Sequence, residues 1–323
     1  MSNYESIHGT RVKYLTSDPT LDSSTEGQVW YNSTTGTNKA LVQIKAWSAG
    51  GNLGTARFAL TGAGTQTAGL AMGGSTPTTT DATEEYNGFG WLTGGSLSSP
   101  RFYAASCGTQ TSALIFGNYP NGTTTEEYNG SSWTAGGPLN TGRNSAAGAG
   151  TQTAGLAFGG NADPPITGST EEYNGTAWTA SGSLNSARTA LSGAGIQTAT
   201  LAFAGSPPAG VSGDTEEYDG SSWTIVNSMN TARNGLGGAG TQTLALAFGG
   251  NTGSLTGATE EWDGTNWITS SGTLSVARRI LGSANASPYH LGLGFGGYAP
   301  GTTAATEEYN STLQAGTRAV FSA

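Results

Sequence analysis

Arginine returns at Arg57, Arg101, Arg143, Arg188, Arg233 and Arg278, at intervals of 44, 42, 45, 45 and 45 residues. Between arginines the same words follow in the same order: a Gly-Ala-Gly-Thr-Gln-Thr stretch, an apolar run ending in a glycine pair, Thr-Glu-Glu-Tyr, Asn-Gly and a tryptophan. A period in the low forties means one supersecondary unit used repeatedly, and such a unit buries its apolar face only against neighbouring copies. The period also decides how composition is read. The chain holds 53 glycines and 11 prolines in 323 residues, and 10% of it is charged. Without a period that balance belongs to low-complexity, disordered sequence. With aromatics at fixed places it belongs to a folded repeat, preceded by an N-terminal segment and followed by a short tail.

Residues 143–187 show one unit. Residues 144–149 are small and extended in character, Gly150-Thr151-Gln152-Thr153 signals a turn, and residues 154–158 form an apolar run closed by Gly159-Gly160. A run that short fits a buried strand better than a helix. A loop with Asp163, Pro164 and Pro165 precedes residues 170–173, where alternation puts Glu171 and Tyr173 on one face. Asn174-Gly175 reads as a type I′ hairpin turn, with positive φ at both central residues, and Trp178 opens a fourth strand. Four short antiparallel strands are the content of one propeller blade. Dense glycine and missing caps leave no credible helix, and a parallel β-helix would need a shorter rung.

Charge narrows the function classes. The net charge is −9; the six Glu-Glu pairs carry 12 of the 21 acidic residues, and the repeat arginines are half of the 12 basic ones. No basic stripe is left for phosphate, so nucleic-acid binding is not expected. No Lys/Arg cluster suits anionic lipid, and no run approaches the roughly 20 apolar residues of a span, so no membrane insertion is expected. Residues 1–14 are polar and carry no apolar core of a cleaved signal. Cys107 is the single cysteine, which excludes an intrachain disulfide and a cysteine metal cage.

The Glu-Glu pairs invite an acid–base reading. Adjacent strand residues face opposite ways, however, and six equal copies do not make one active site. Their expected role is structural, with one glutamate of each pair bonding a repeat arginine, in its own blade or across blades. The Asn/Asp-Gly-x-x-Trp run lacks the Asp-x-Gly-x-Thr-Trp spacing of the sialidase Asp-box and reads as a plain hairpin. His8 and His290 are the only histidines, too few for a three-histidine metal site, and a Ser-His-Asp triad would have to use one of them. No catalytic residue, metal site or cofactor is expected.

The ordered set of apolar strand, glycine pair, tyrosine and tryptophan resembles the kelch repeat over residues 41–310. The resemblance implies that the glycine pair ends the second strand and that the tyrosine and tryptophan pack between blades. Gly73-Gly74, Gly159-Gly160, Gly249-Gly250 and Gly296-Gly297 match it. Gly117-Asn118 and Ala204-Gly205 depart, so altered strand ends are expected in the second and fourth units, and Trp262 stands where the fifth unit should have tyrosine. The sixth unit stops at Glu307-Glu308-Tyr309 without a tryptophan, while Trp47 precedes the first arginine without a unit of its own. The expected fold is all-β: a six-bladed kelch-like β-propeller of four-stranded antiparallel blades, closed by residues 40–47 pairing beside residues 306–310. The six arginines, Trp91, Trp133, Trp178, Trp223, Trp267 and Trp47 are its expected structural set. The expected division is a docking segment with a hairpin over 1–40, the propeller over 41–310 and a tail over 311–323.

Residues 1–40 read differently. Gly9-Thr10-Arg11-Val12-Lys13-Tyr14-Leu15, Ser17-Asp18-Pro19 and Glu26-Gly27-Gln28-Val29-Trp30-Tyr31-Asn32-Ser33-Thr34-Thr35-Gly36 resemble the N-terminal segment of bacteriophage tail-fibre and other virion appendage proteins. Residues 28–36 also read as a strand entering a turn, with 39–44 returning. The resemblance implies a virion protein, assembled in the host cytoplasm and acting outside the cell, whose first 40 residues dock to other virion proteins. Within the repeats, the Gly-Thr-Gln-Thr turn hardly changes, whereas the loops 75–82, 118–124, 161–169, 206–214, 251–258 and 298–305 all differ. Loops on a rigid scaffold carry function. Tyr119, Asn121, Asp163, Ile166, Val211, Asp214, Leu255 and Tyr298 are therefore candidate receptor-binding residues for a host cell-surface glycan or protein. The expected function is a non-enzymatic tail fibre or particle-surface appendage. The alternatives are a carbohydrate-active enzyme, sialidase-like or a lyase, and a purely structural decoration protein; inward-facing carboxylates at a central channel would favour the enzyme.

Overall fold

The computed structural model describes residues 13–19, 28–162 and 165–317, and their regular structure is strand and turn throughout. Two compact units divide the chain: Met1–Ala46 with Asn310–Ala323, and Trp47–Tyr309. The larger unit is an all-β, propeller-like repeat of four-stranded antiparallel sheets, each in strand order 1-2-3-4. Sheet I holds Thr61–Thr65, Ala68–Met72, Thr83–Tyr86 and Trp91–Thr93. Sheets II to V repeat this pattern from Ala105–Thr109, Ala147–Gly150, Ser192–Ile196 and Gly237–Gly240 onwards. Register follows the text, with Ala147 opposite Phe158, Ala157 opposite Glu171 and Tyr173 opposite Trp178 in sheet III.

A sixth sheet has six strands, in the order Gly282–Ser283, Leu291–Phe295, Thr306–Thr317, Thr37–Ala49, Val29–Asn32 and Lys13–Leu15. Within the larger unit, Gly50 N–H donates to the Thr306 carbonyl and Leu53 N–H to that of Ala304. In the smaller unit Val29–Asn32 pairs antiparallel with residues 37–40, and Lys13–Leu15 lies parallel to Val29–Asn32. Asp18 ties these strands together, accepting from Trp30 Nε1, Asn32 Nδ2 and Lys39 Nζ. Those bonds, the one from Lys39 foremost, hold the Asp18 carboxyl at about 2.

Small residues fill the first strands because each packs under the preceding sheet. A Cβ on Gly148 would stand 2.8 Å from Phe116 Cζ and 2.6 Å from the Ser106 carbonyl. Only glycine allows that approach, and the phenylalanine gains a flat partner surface. The core is correspondingly divided into inter-sheet clusters such as Phe116, Leu139, Ala157, Tyr173 and Trp178.

Two local expectations need correction. The Asn-Gly turns are not type I′. Tyr173 pairs with Trp178, so the loop has four residues. Gly175 has positive φ and Asn174 does not. The Asn174 side chain supplies the difference, its Oδ1 accepting from the Thr176 and Ala177 N–H groups. The fourth unit keeps its strand end: Ala204 adopts φ 62, close to the 59 of Gly73, and its N–H donates to Asp214 as that of Gly73 does to Ala82. In the second unit Asn118 leaves the positive-φ set, yet its N–H still reaches the Arg143 carbonyl. The expected arginine–glutamate pairs form, and they lie within units; the bonds across sheets come from the other glutamate.

Candidate binding face

The repeat words build one junction many times over. Each arginine is buried against the first glutamate of its own unit: Arg57–Glu84 at 3.1 Å, Arg143–Glu171 at 2.6 Å, Arg188–Glu216 and Arg233–Glu260 at 3.2 Å, Arg278–Glu307 at 2.5 Å, and Arg101–Glu126. The second glutamate receives the tyrosine hydroxyl of the next sheet, as from Tyr173 to Glu127 and Tyr218 to Glu172. The tryptophan donates its indole N–H to the threonine of the preceding sheet, Trp178 to Thr125 and Trp223 to Thr170. Trp47 does the same to Thr259, and Trp91 to Thr306. The orphan tryptophan therefore occupies the slot that the sixth unit leaves empty, packed on Phe248 and Tyr309.

One device was not anticipated. The glutamine of the invariant turn, in five units, reaches into the preceding sheet and donates to two backbone carbonyls, as Gln152 does to Ala113 and Tyr128. Near-identity of the turn was the available signal. The sixth unit lacks this glutamine. Its turn sends Asn285 Nδ2 to the Ser106 carbonyl of sheet II and Ala286 N–H to the Gly64 carbonyl of sheet I.

One side of the repeat array carries a circle of left-handed residues. Ala59, Tyr103, Ser145, Ala190, Gly235 and Ile280 all have φ between 46 and 61. Each donates its N–H to the carbonyl of its counterpart one unit earlier, and Ala59 donates to Ile280. Beneath them is a cavity of about 120 Å³ floored by Thr61, Ser106, Ser192, Ser283 and Asn285. Alanine, glycine and serine make up most of its wall, and no carboxylate among the described residues lines it. A second cavity of about 390 Å³ lies beyond Asn285 and Ala286, among Gly108, Gly150, Ile196 and Gly240.

The variable loops begin beside this circle. In five units the residue before the circle member bridges to the start of its loop: Phe58 to Ser75, Asn144 to Asn161, Thr189 to Ser206, Asn234 to Asn251 and Arg279 to Tyr298; in the second unit Tyr119 N–H donates to the Phe102 carbonyl. Of the sequence candidates, Tyr119 is exposed and packs on Phe102 at 5.2 Å between ring centroids. Tyr298 is exposed and meets Phe58 edge-on at 6.4 Å. Val211 is exposed alone. Asn121 is turned to Asn144, whose Nδ2 donates to it at 2.7 Å. Ile166 and Leu255 bridge back to Asn161 and Asn251 within their own loops. Asp214 stands 3.9 Å from Arg188. Asp163 lies outside the described residues. Phe58, Phe102, Tyr103 and Arg279 were missed because they sit beside the scaffold arginines rather than in the loops.

No protein-family model matches the chain, and no curated protein matches it.

Proposed function

We propose that this chain is a non-enzymatic bacteriophage virion protein, a tail fibre or particle-surface appendage. It presents a six-bladed kelch-like propeller, closed by the strand carrying Trp47, for recognition of the host surface. Residues 1–40 dock it to other virion proteins. The six-member circle of backbone bonds, with Ala59 donating to Ile280, supports closure. The observation that carries the recognition reading is the contrast on one face. A uniform scaffold repeats its internal contacts, while six loops of unequal sequence start beside a single channel mouth. A mouth walled by alanine, glycine and serine also favours binding over glycoside hydrolysis, which needs paired carboxylates.

The test replaces residues 161–169 and 206–214 with short Gly/Ser loops. The expected outcome is an unchanged melting curve, since loop length costs little, with reduced binding of the purified protein to host cells. Full cell binding after both replacements, or no binding by the parent, overturns the recognition reading in favour of a structural decoration. Labelling the chain on intact particles tests its place on the virion.

A further inference from the structure

We infer that the channel mouth binds a carboxylate-bearing sugar at the end of a glycan, with Arg279 taking the carboxylate and the surrounding aromatic rings packing on the sugar. The inference rests on the host-recognition reading and names the ligand class.

Arg279 is the odd cation of the larger unit. Residues 47–309 contain seven basic side chains, all arginine. Six are the buried repeat arginines, each with its glutamate. Arg279 has no ion pair among the described residues, and its Nε is shut off from solvent with no hydrogen-bond acceptor. Its counterparts in the other units are Phe58, Phe102, Asn144, Thr189 and Asn234, so the scaffold does not require a charge there. Its guanidinium carbon lies 5.6 Å from the Tyr298 ring centroid. It is also near enough to Tyr103 to draw that hydroxyl's pKa down against the rise from burial. A half-buried cation without an anion is an unmet electrostatic demand, and a planar guanidinium meets a carboxylate through two parallel bonds.

The remaining features select a sugar among carboxylates. Tyr119, Phe102, Tyr103, Tyr298 and Phe58 form an aromatic arc on one sector of the mouth, with neighbouring ring centroids 5.2 Å apart across Tyr119, Phe102 and Tyr103. Flat apolar rims with a few convergent polar groups below are the usual make-up of a small-molecule site. The lining includes the hydroxyls of Thr61, Ser106, Ser192 and Ser283 and Asn285 Oδ1, the Asn285 Nδ2 being engaged by the Ser106 carbonyl. A cavity of about 120 Å³ with Asn285 in its lining suits one ring rather than a continuing chain.

The experiment uses the full chain and ligand-observed saturation-transfer NMR. The acidic probes are methyl glucuronide and the methyl glycoside of N-acetylneuraminic acid; methyl glucoside, sodium acetate and a short Asp/Glu peptide are the comparators. One acidic sugar is expected to bind at least tenfold more tightly than every comparator. Arg279→Gln should remove that preference without moving the melting curve, and Tyr298→Ala should weaken both acidic and neutral sugars. The inference is overturned if no acidic sugar binds, if the preference survives Arg279→Gln, or if acetate or the peptide binds as tightly. Cell binding by the same preparations separates the two levels. Cells bound without any acidic-sugar affinity sink the ligand class alone, whereas absence of cell binding removes the recognition reading itself.

Discussion

At Arg143 the guanidinium donates to the carbonyls of Thr141, Gly159 and Ser169 and to Glu171 Oε1. Glu171 Oε2 is held in turn by the Asn140 N–H and Nδ2. Arg143→Ala strands a buried carboxylate and should cost about 3–5 kcal/mol, seen as a fall in thermal midpoint on the order of 10 °C. The tyrosine–glutamate contacts offer a paired comparison. Glu172 accepts from Tyr218 at 2.5 Å. Glu217 faces the junction where Trp262 replaces tyrosine, its carboxyl receives no such hydroxyl, and burial raises its pKa. Glu172→Gln should therefore cost about 1.5–3 kcal/mol, while Glu217→Gln should be neutral or slightly stabilising at neutral pH, both read by urea unfolding. Burial first, and the bond to a carboxylate second, push Tyr128, Tyr173 and Tyr218 up to about 12. A raised folded-state value means stability fully present below the ordinary tyrosine value, near pH 10. It should decline as pH passes through about 12, measured as alkaline unfolding that Tyr→Phe variants blunt.

Sheets are where sequence and structure agree best. Glu-Glu and tryptophan each fall at one strand position in every complete unit, and the arginine at one place just before the first strand, because each makes the same contact. Turn geometry was less legible, since the Asn174 side chain, rather than its backbone, closes the loop. The glycine pairs give the element-scale prediction. Gly205 has φ 108, and an added Cβ would meet Leu191 Cβ and the Thr189 carbonyl at 2.9 Å. Gly205→Ala should destabilise by about 2 kcal/mol or more. Ala204→Gly, relieving a left-handed alanine, should stabilise by up to about 1 kcal/mol. The candidate site was the least legible. Its aromatic arc draws on residues 58, 102, 103, 119 and 298 from three units, at repeat positions that hold Asn144, Thr189, Asn234, Ser145 or Ala190 elsewhere, so the period marks the places but not the aromatic character.

Across the whole molecule, the first residue of the larger unit completes contacts with its last sheets. Trp47→Ala removes an indole from between Phe248 and Tyr309 and leaves Thr259 without its donor. Its cost should match that of Trp133→Ala, about 3 kcal/mol each, in the same unfolding assay. A far smaller effect for Trp47 would mean the two ends of the repeat array are joined only loosely. A matched effect would mean every junction bears a similar share of stability.

Asn285 and Ala286 line the small void of about 20 Å³ between the two cavities. A space of that size holds a water molecule rather than a chain, so a polymer cannot be gripped along its length there. Whatever enters the mouth presents a tip. On the proposed recognition reading, such a mouth would distinguish how a surface chain is capped, and a host would escape it by changing the cap while leaving the backbone of the polymer untouched.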